Sequence, residues 1–122
     1  MKTINEKLDE YLSLEKGWDG PLSLSPTPNM VYRIKEFVKL FPDNYTIPEP
    51  MVDCNGVIGL FYDDYEKWYL DMEFSALNNI SLFIKNKITG DIIFKDKINY
   101  IDLTTDWIIV NLVLLNKNNY EL

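Results

Sequence analysis

Histidine is absent from the 122 residues, cysteine occurs once, and no uninterrupted apolar run approaches membrane-spanning length. Without an imidazole, Ser-His-Asp and Cys-His machinery and histidine-bearing metal sites lack an indispensable member. One thiol, Cys54, cannot close a disulfide within the chain, nor build a cysteine-rich zinc or iron–sulfur site. The longest apolar stretch, residues 107–115, is interrupted by Asn111, and a bilayer requires roughly 20 apolar residues. No basic segment followed by an apolar one opens the sequence, so no secretory signal is expected. These absences lead to the expectation of a soluble, cytoplasmic protein without cofactor, bound metal or membrane contact. The chemistry they leave open is that of carboxylates, lysine, hydroxyl groups, or a hard cation held by carboxylates.

What is present describes an ordered domain. Apolar residues make up 47% and charged ones 25%, a balance that argues against disorder, and the length suits one domain spanning residues 1–122. The formal net charge is −7. All of it lies in residues 1–73, where 14 acidic side chains meet 7 basic ones; residues 74–122 carry 5 of each. Such a field disfavours direct nucleic-acid binding, because phosphate contact needs the opposite sign. It suits a basic protein partner, or serves solubility alone.

Periodicity separates a helical N-terminal third from a β-rich remainder. Over residues 3–15, Ile4, Leu8, Tyr11, Leu12 and Leu14 form one apolar stripe, and Thr3 with Glu6 has the form of a capping box. Gly17 is the expected C-cap of that helix. Thr27-Pro28 starts a second helix, with Met30, Val31, Ile34, Phe37, Val38 and Phe41 on its buried face, and Pro42 ends it. Pro48 and Pro50 keep the next connection extended. Asn55-Gly56 predicts a tight hairpin joining residues 51–54 to 57–62. After a polar turn at Asp63-Asp64-Tyr65-Glu66, Trp68, Leu70, Met72 and Phe74 alternate with Tyr69, Asp71 and Glu73. Ile80, Leu82 and Ile84 repeat the pattern beyond Asn78-Asn79, and Thr89-Gly90-Asp91 leads to a last strand around residues 92–95. Short polar links between strands imply an antiparallel meander. Residues 102–116 suit either a helix capped by Thr104, Thr105 or Asp106, or a buried strand around Ile108-Ile109-Val110; length favours helix. Being apolar nearly all round, that segment is expected to be buried on several sides or shared with another subunit. The expected architecture is therefore α+β: two N-terminal helices, a meander of about five strands and a C-terminal helix packed on the sheet.

This order of features resembles a widespread family of small prokaryotic and phage proteins. The resemblance rests on Trp18-Asp19-Gly20, the Pro/Ser loop through Pro26-Thr27, the helix to Pro42, and Pro48, Pro50 and Gly56 of the hairpin. It extends to the strand over residues 57–62, where members usually end in an aromatic. The chain departs from the pattern at Leu22-Ser23, where small residues are usual, and at Tyr62, where Trp is common. The resemblance covers about half of the chain. It implies a helix-then-sheet layout and a mobile-element context, and it brings no catalytic residues with it.

Three groups of residues are candidates for function. In Trp18-Asp19-Gly20 the indole is a possible stacking face and Asp19 a fixed acceptor; the plainer reading is a turn pinned by its Trp, with Asp19 bonded to nearby backbone N–H groups. Asp63, Asp64, Glu66, Asp71 and Glu73 form an acidic cluster, in which Asp71 and Glu73 project from one strand face roughly 7 Å apart. Three functional uses are open to it: acid/base work, a calcium-like site or an acidic surface for a basic partner. The competing explanation is the wet side of a one-sided sheet. Tyr69 and Phe83 are the aromatics expected to share that face, anchoring a partner that the charges steer, unless the C-terminal segment covers them. Cys54 reads as a small core residue beside the tight turn. The leading expectation is a non-enzymatic inhibitor or neutralising module of the phage anti-defence kind. Its partner-binding residues would be Asp63, Asp64, Glu66, Tyr69, Asp71, Glu73 and Phe83, with no catalytic residues. The alternatives are a small carboxylate- or metal-dependent hydrolase using Asp63, Asp64, Asp71 and Glu73, and a structural homo-oligomer joined through residues 107–115.

Overall fold

The computed structural model describes residues 2–118. Helix α1 (Ile4–Tyr11) begins as the sequence indicates: the Glu6 N–H donates to Thr3 Oγ1, and the Thr3 N–H to Glu6 Oε1, each at 3.1 Å. It is shorter than residues 3–15. The N–H groups of Leu12, Ser13 and Leu14 reach carbonyls three residues back, and the Ser13 hydroxyl donates to the Glu10 carbonyl at 2.7 Å, so the chain tightens out of the α-helix. The C-cap is therefore Leu12. Gly17, expected in that role, uses its left-handed φ of 87° in the following turn.

Helix α2 (Pro28–Val38) has Thr27 as N-cap and Pro28 in its first turn, as expected. Met30, Val31, Ile34, Phe37 and Val38 are buried along one face. Pro42 has no N–H to offer the Val38 carbonyl, which accepts from Phe41 instead, at 3.3 Å, in a tighter turn.

Strands β1 (Glu49–Val52), β2 (Ile58–Asp63), β3 (Trp68–Ala76), β4 (Asn79–Asn86) and β5 (Ile92–Ile98) form one antiparallel sheet in sequence order. The α+β meander read from the sequence is thus the observed fold. β1 begins at Glu49, two residues before the expected strand, because Pro50 is compatible with a strand that lies at the sheet edge. Gly56 (φ 77°) makes the β1–β2 turn, and a Cβ there would lie 2.6 Å from the Ser25 carbonyl oxygen. The loop before α2 therefore packs directly on this hairpin.

Helix α3 (Thr105–Asn111) settles the ambiguous segment as helix, capped by Thr104 Oγ1 accepting from the Trp107 N–H at 3.1 Å. It stops at Asn111, and one 3-10 turn (Val113–Leu115) follows. Ile108, Leu112, Leu114 and Leu115 are buried, whereas Ile109 and Val110 are exposed, so the segment is buried on one side rather than on several. All three helices share one apolar cluster with Ile58, Leu60, Leu70, Met72, Phe74, Ile80, Leu82 and Ile84. The Phe37 ring lies 5.8 Å from that of Phe74 and 6.5 Å from that of Trp107. The helices thus lie on the Leu70 side of the sheet. The chain leaving α3 turns away along the loop before β1, where the Thr46 N–H donates to the Leu115 carbonyl and the Lys117 N–H to the Asn44 carbonyl, each at 2.7 Å.

Candidate functional site

Side chains alternate along a strand, so the residues between the core positions point to the side of the sheet without helices. The register arranges them in rows. Glu49, Phe61, Asp71, Phe83 and Phe94 form one; Met51, Gly59, Glu73 and Ser81 lie on one side of it, and Asp63, Tyr69, Lys85 and Ile92 on the other. Asp71 therefore sits between two phenylalanines, one on each neighbouring strand. Tyr69 and Phe83 meet edge to face with ring centroids 6.1 Å apart.

Of the seven expected partner-binding residues, four come together in the middle of this open face, Tyr69, Asp71, Glu73 and Phe83, and Asp63 stands at its margin opposite Tyr69. Glu73 is exposed, and Tyr69, Asp71 and Phe83 are half-buried by their strand neighbours. The Asp71 carboxylate takes part in no hydrogen bond or ion pair among the described residues. Burial, and then the Glu73 carboxylate beside it, push its carboxyl above the ordinary range. The Tyr69 phenol is raised as well, first by burial and then by Asp71, Asp63 and Glu73.

The other three acids build the β2–β3 turn, Asp63 from the last position of β2. Asp63 is ion-paired with Lys87 and accepts from the Tyr65 N–H at 2.7 Å; the bond from Lys87, then that from Tyr65, lowers its pKa. Asp64 accepts the N–H groups of Glu66, Lys67 and Trp68 at 2.9, 2.8 and 2.9 Å. Burial alone would raise the Asp64 carboxyl, but these backbone bonds together outweigh it and leave the pKa lowered. Both side chains thus hold the turn, in which Tyr65 takes a left-handed φ of 63°. Glu66 is exposed at the tip. The set Asp63, Asp64, Asp71 and Glu73 therefore does not converge on one point.

Gly59 adds a feature the sequence reading passed over. Its missing side chain leaves a depression of about 170 Å³ lined by Met51, Asp53, Val57, Tyr69, Asp71 and Glu73. A glycine inside a strand often marks a close approach of another group, and that was the available signal. A Cβ at Gly59 would lie 3.4 Å from Met51 Cγ and 3.6 Å from Asp71 Oδ1. Asp53, at the rim, accepts from the Asn55 and Val57 N–H groups and so supports the Asn-Gly turn.

Trp18-Asp19-Gly20 lies apart from this face. The Trp18 Nε1–H donates to the Leu24 carbonyl at 2.7 Å, which pins the indole to its own loop. The expected role of the Asp19 carboxylate falls instead to Ser23. Its buried hydroxyl accepts from the Asp19 N–H at 2.9 Å and donates to the Gly20 carbonyl at 2.8 Å. A hydroxyl can do both at once, whereas a carboxylate only accepts. Cys54 is exposed, not a core residue, because β1 ends at Val52 and leaves it in the turn.

Among the described residues, no group of three or more acidic or cysteine side chains could hold a metal ion, and no helix is long and apolar enough to cross a membrane. Comparison with protein-family models, with curated proteins and with solved structures finds no match for this chain.

Proposed function

We propose that the protein is a non-enzymatic binding module whose open sheet face covers a basic surface of a partner protein, in the manner of a phage-encoded anti-defence inhibitor. One observation carries the reading: Asp71 is held half out of water between Phe61 and Phe83, beside Glu73, and its carboxylate is ion-paired with no cation among the described residues. Desolvating a carboxylate is unfavourable unless a hydrogen-bonded cation compensates. A partner's guanidinium or ammonium entering the Gly59 depression would supply that compensation, with Tyr69 and Phe83 providing ring contacts around it. The excess of negative charge in residues 1–73 would steer the encounter and make it sensitive to salt. The mobile-element context implied by the Trp18-Asp19-Gly20 resemblance agrees with an inhibitor.

The test is to capture a partner from a bacterial lysate and titrate it, at several salt concentrations, against the native chain and the double variant Asp71→Lys/Glu73→Lys. The charge reversal should weaken binding about tenfold or more, ~1.4 kcal/mol or above, and flatten the salt dependence. Binding of equal strength and equal salt slope would remove the electrostatic basis of the reading.

A further inference from the structure

The two edges of the sheet are built differently. At β1 the outer strand is four residues long, contains Pro50, and is tied to α1 by the Lys7–Glu49 ion pair at 3.7 Å. These are the devices that keep one sheet from adding to another. At β5 no further strand lies outside among the described residues, and Ile92, Ile93 and Phe94 are 56%, 52% and 61% exposed. Protection exists only in the second half of β5, where Lys95, Asp96 and Lys97 follow one another, Lys97 has a φ of 55°, and the register shifts opposite Ile80–Leu82. The first half is an unguarded apolar edge.

Its backbone is equally unguarded. The Asn86 N–H donates to the Asp91 carbonyl at 2.9 Å, so Asn86 and Asp91 form a hydrogen-bonded pair. Such pairs alternate along an antiparallel ladder, so Ile84–Ile93 and Leu82–Lys95 are bonded likewise. The N–H and C=O groups of Ile92 and Phe94 therefore turn outward, away from β4.

We propose that this edge pairs with β5 of a second copy of the chain, antiparallel, about a two-fold axis passing through Ile93 at right angles to the sheet. The register follows from the residues. With the axis at Ile93, Ile92 of each copy faces Phe94 of the other, the two Ile93 side chains meet, and Asp91 faces Lys95. Apolar side chains then oppose apolar ones, opposite charges oppose each other, and the outward N–H and C=O groups bond in reciprocal pairs. An axis at Phe94 would set Ile92 against Asp96 and Ile93 against Lys95, losing both matches. An axis between two residues would put outward backbone groups against inward ones. The position of the charge agrees: residues 74–122, which contain β5, carry equal numbers of acids and bases, so the copies meet without net repulsion there. A groove of about 290 Å³ between β5 and α3, lined by Trp68, Ile84, Ile93, Val110 and Leu114 among others, opens on the Ile93 side and lengthens the apolar contact. The product is a ten-stranded sheet with both Asp71 faces on one side. The pairing itself does not depend on what those faces bind.

Sedimentation of the full chain over a range of concentrations tests the pairing. The native chain should dimerise, and Ile93→Lys, which sets two ammonium groups on the axis at an exposed site, should raise the dimer dissociation constant at least tenfold with an unchanged circular dichroism spectrum. Independently, in a Cys54→Ser background, mild oxidation should cross-link Ile93→Cys, whose thiols meet across a non-hydrogen-bonded pair, and should leave Phe94→Cys uncross-linked. A native chain that stays monomeric at every concentration overturns the proposal. A dimer that survives Ile93→Lys, or cross-linking at position 94 but not at 93, overturns it as well.

Discussion

The two sides of β3 and β4 are made by the same two strands, yet they answer to different constraints. On one side Leu70, Met72, Phe74, Leu82 and Ile84 are closed over by three helices; on the other Tyr69, Asp71, Glu73 and Phe83 stay partly in water. Burial dictates the first set, because slipping the register by one residue would exchange the two sides and put Asp71 and Glu73 into the core. The second set is under no such compulsion. A half-buried carboxylate between two phenylalanines is not what folding requires, so the composition of the open side carries information that the core side does not.

The contrast is sharpest at two phenylalanines. Phe74→Ala removes a fully buried ring packed at a tilt against Phe37 and should destabilise the protein by about 3–5 kcal/mol. Phe83→Ala removes a half-buried ring whose ring partner is Tyr69 and should cost about 1 kcal/mol. Urea unfolding of both variants measures the difference. Equal losses would mean that the open side is a second core and would undo the distinction drawn between them.

A turn residue should fall between these two. Asp64→Ala leaves the N–H groups of Glu66, Lys67 and Trp68 without their shared acceptor and should cost about 2 kcal/mol, since hydrogen bonds to a charged group are worth more than neutral ones. The same urea series reports it. A loss as small as that of a surface substitution, within about 0.5 kcal/mol, would return Asp64 to the set of free acids and enlarge the candidate binding surface accordingly.

Alternation made the sheet readable from residues alone: Trp68 to Phe74 and Ile80 to Ile84 repeat with period two, and polar links short enough for hairpins leave antiparallel neighbours as the arrangement. Caps made the helix starts readable, since Thr3, Thr27 and Thr104 all accept from a backbone N–H of the first turn. Helix ends were less legible. The exit of α1 depends on Ser13 and on three-residue hydrogen bonds, neither of which interrupts the apolar stripe. Within the acidic cluster, sequence gave proximity but not occupation. Asp63 and Asp64 look as free as Asp71 until the turn amides and Lys87, 24 residues away, are placed around them. Gly59 was invisible as a site for a related reason: a missing side chain becomes a depression only once Met51 and Asp71 stand beside it.

The smallest expected effect bears most directly on the open face. Because burial and Glu73 raise the Asp71 carboxyl in the folded chain, its charged form is disfavoured by folding and its neutral form is not. Its contribution to stability is fully present below the unfolded carboxyl value of about 3.9 and is lost as pH rises through the raised folded value. Asp71→Asn keeps the shape and removes the titration. The variant should therefore gain on the native chain as pH rises from acid through that window, and the gap should stay constant above it. Urea midpoints of both proteins from about pH 3 to pH 8 give the curve. A native chain that instead loses stability relative to Asp71→Asn on acidification would mean that a cation already pairs with Asp71 in the free protein. The same reversal, appearing only when a basic partner is added, is what a guanidinium or ammonium seated beside Asp71 would produce, since an opposite charge at close range lowers a carboxyl pKa.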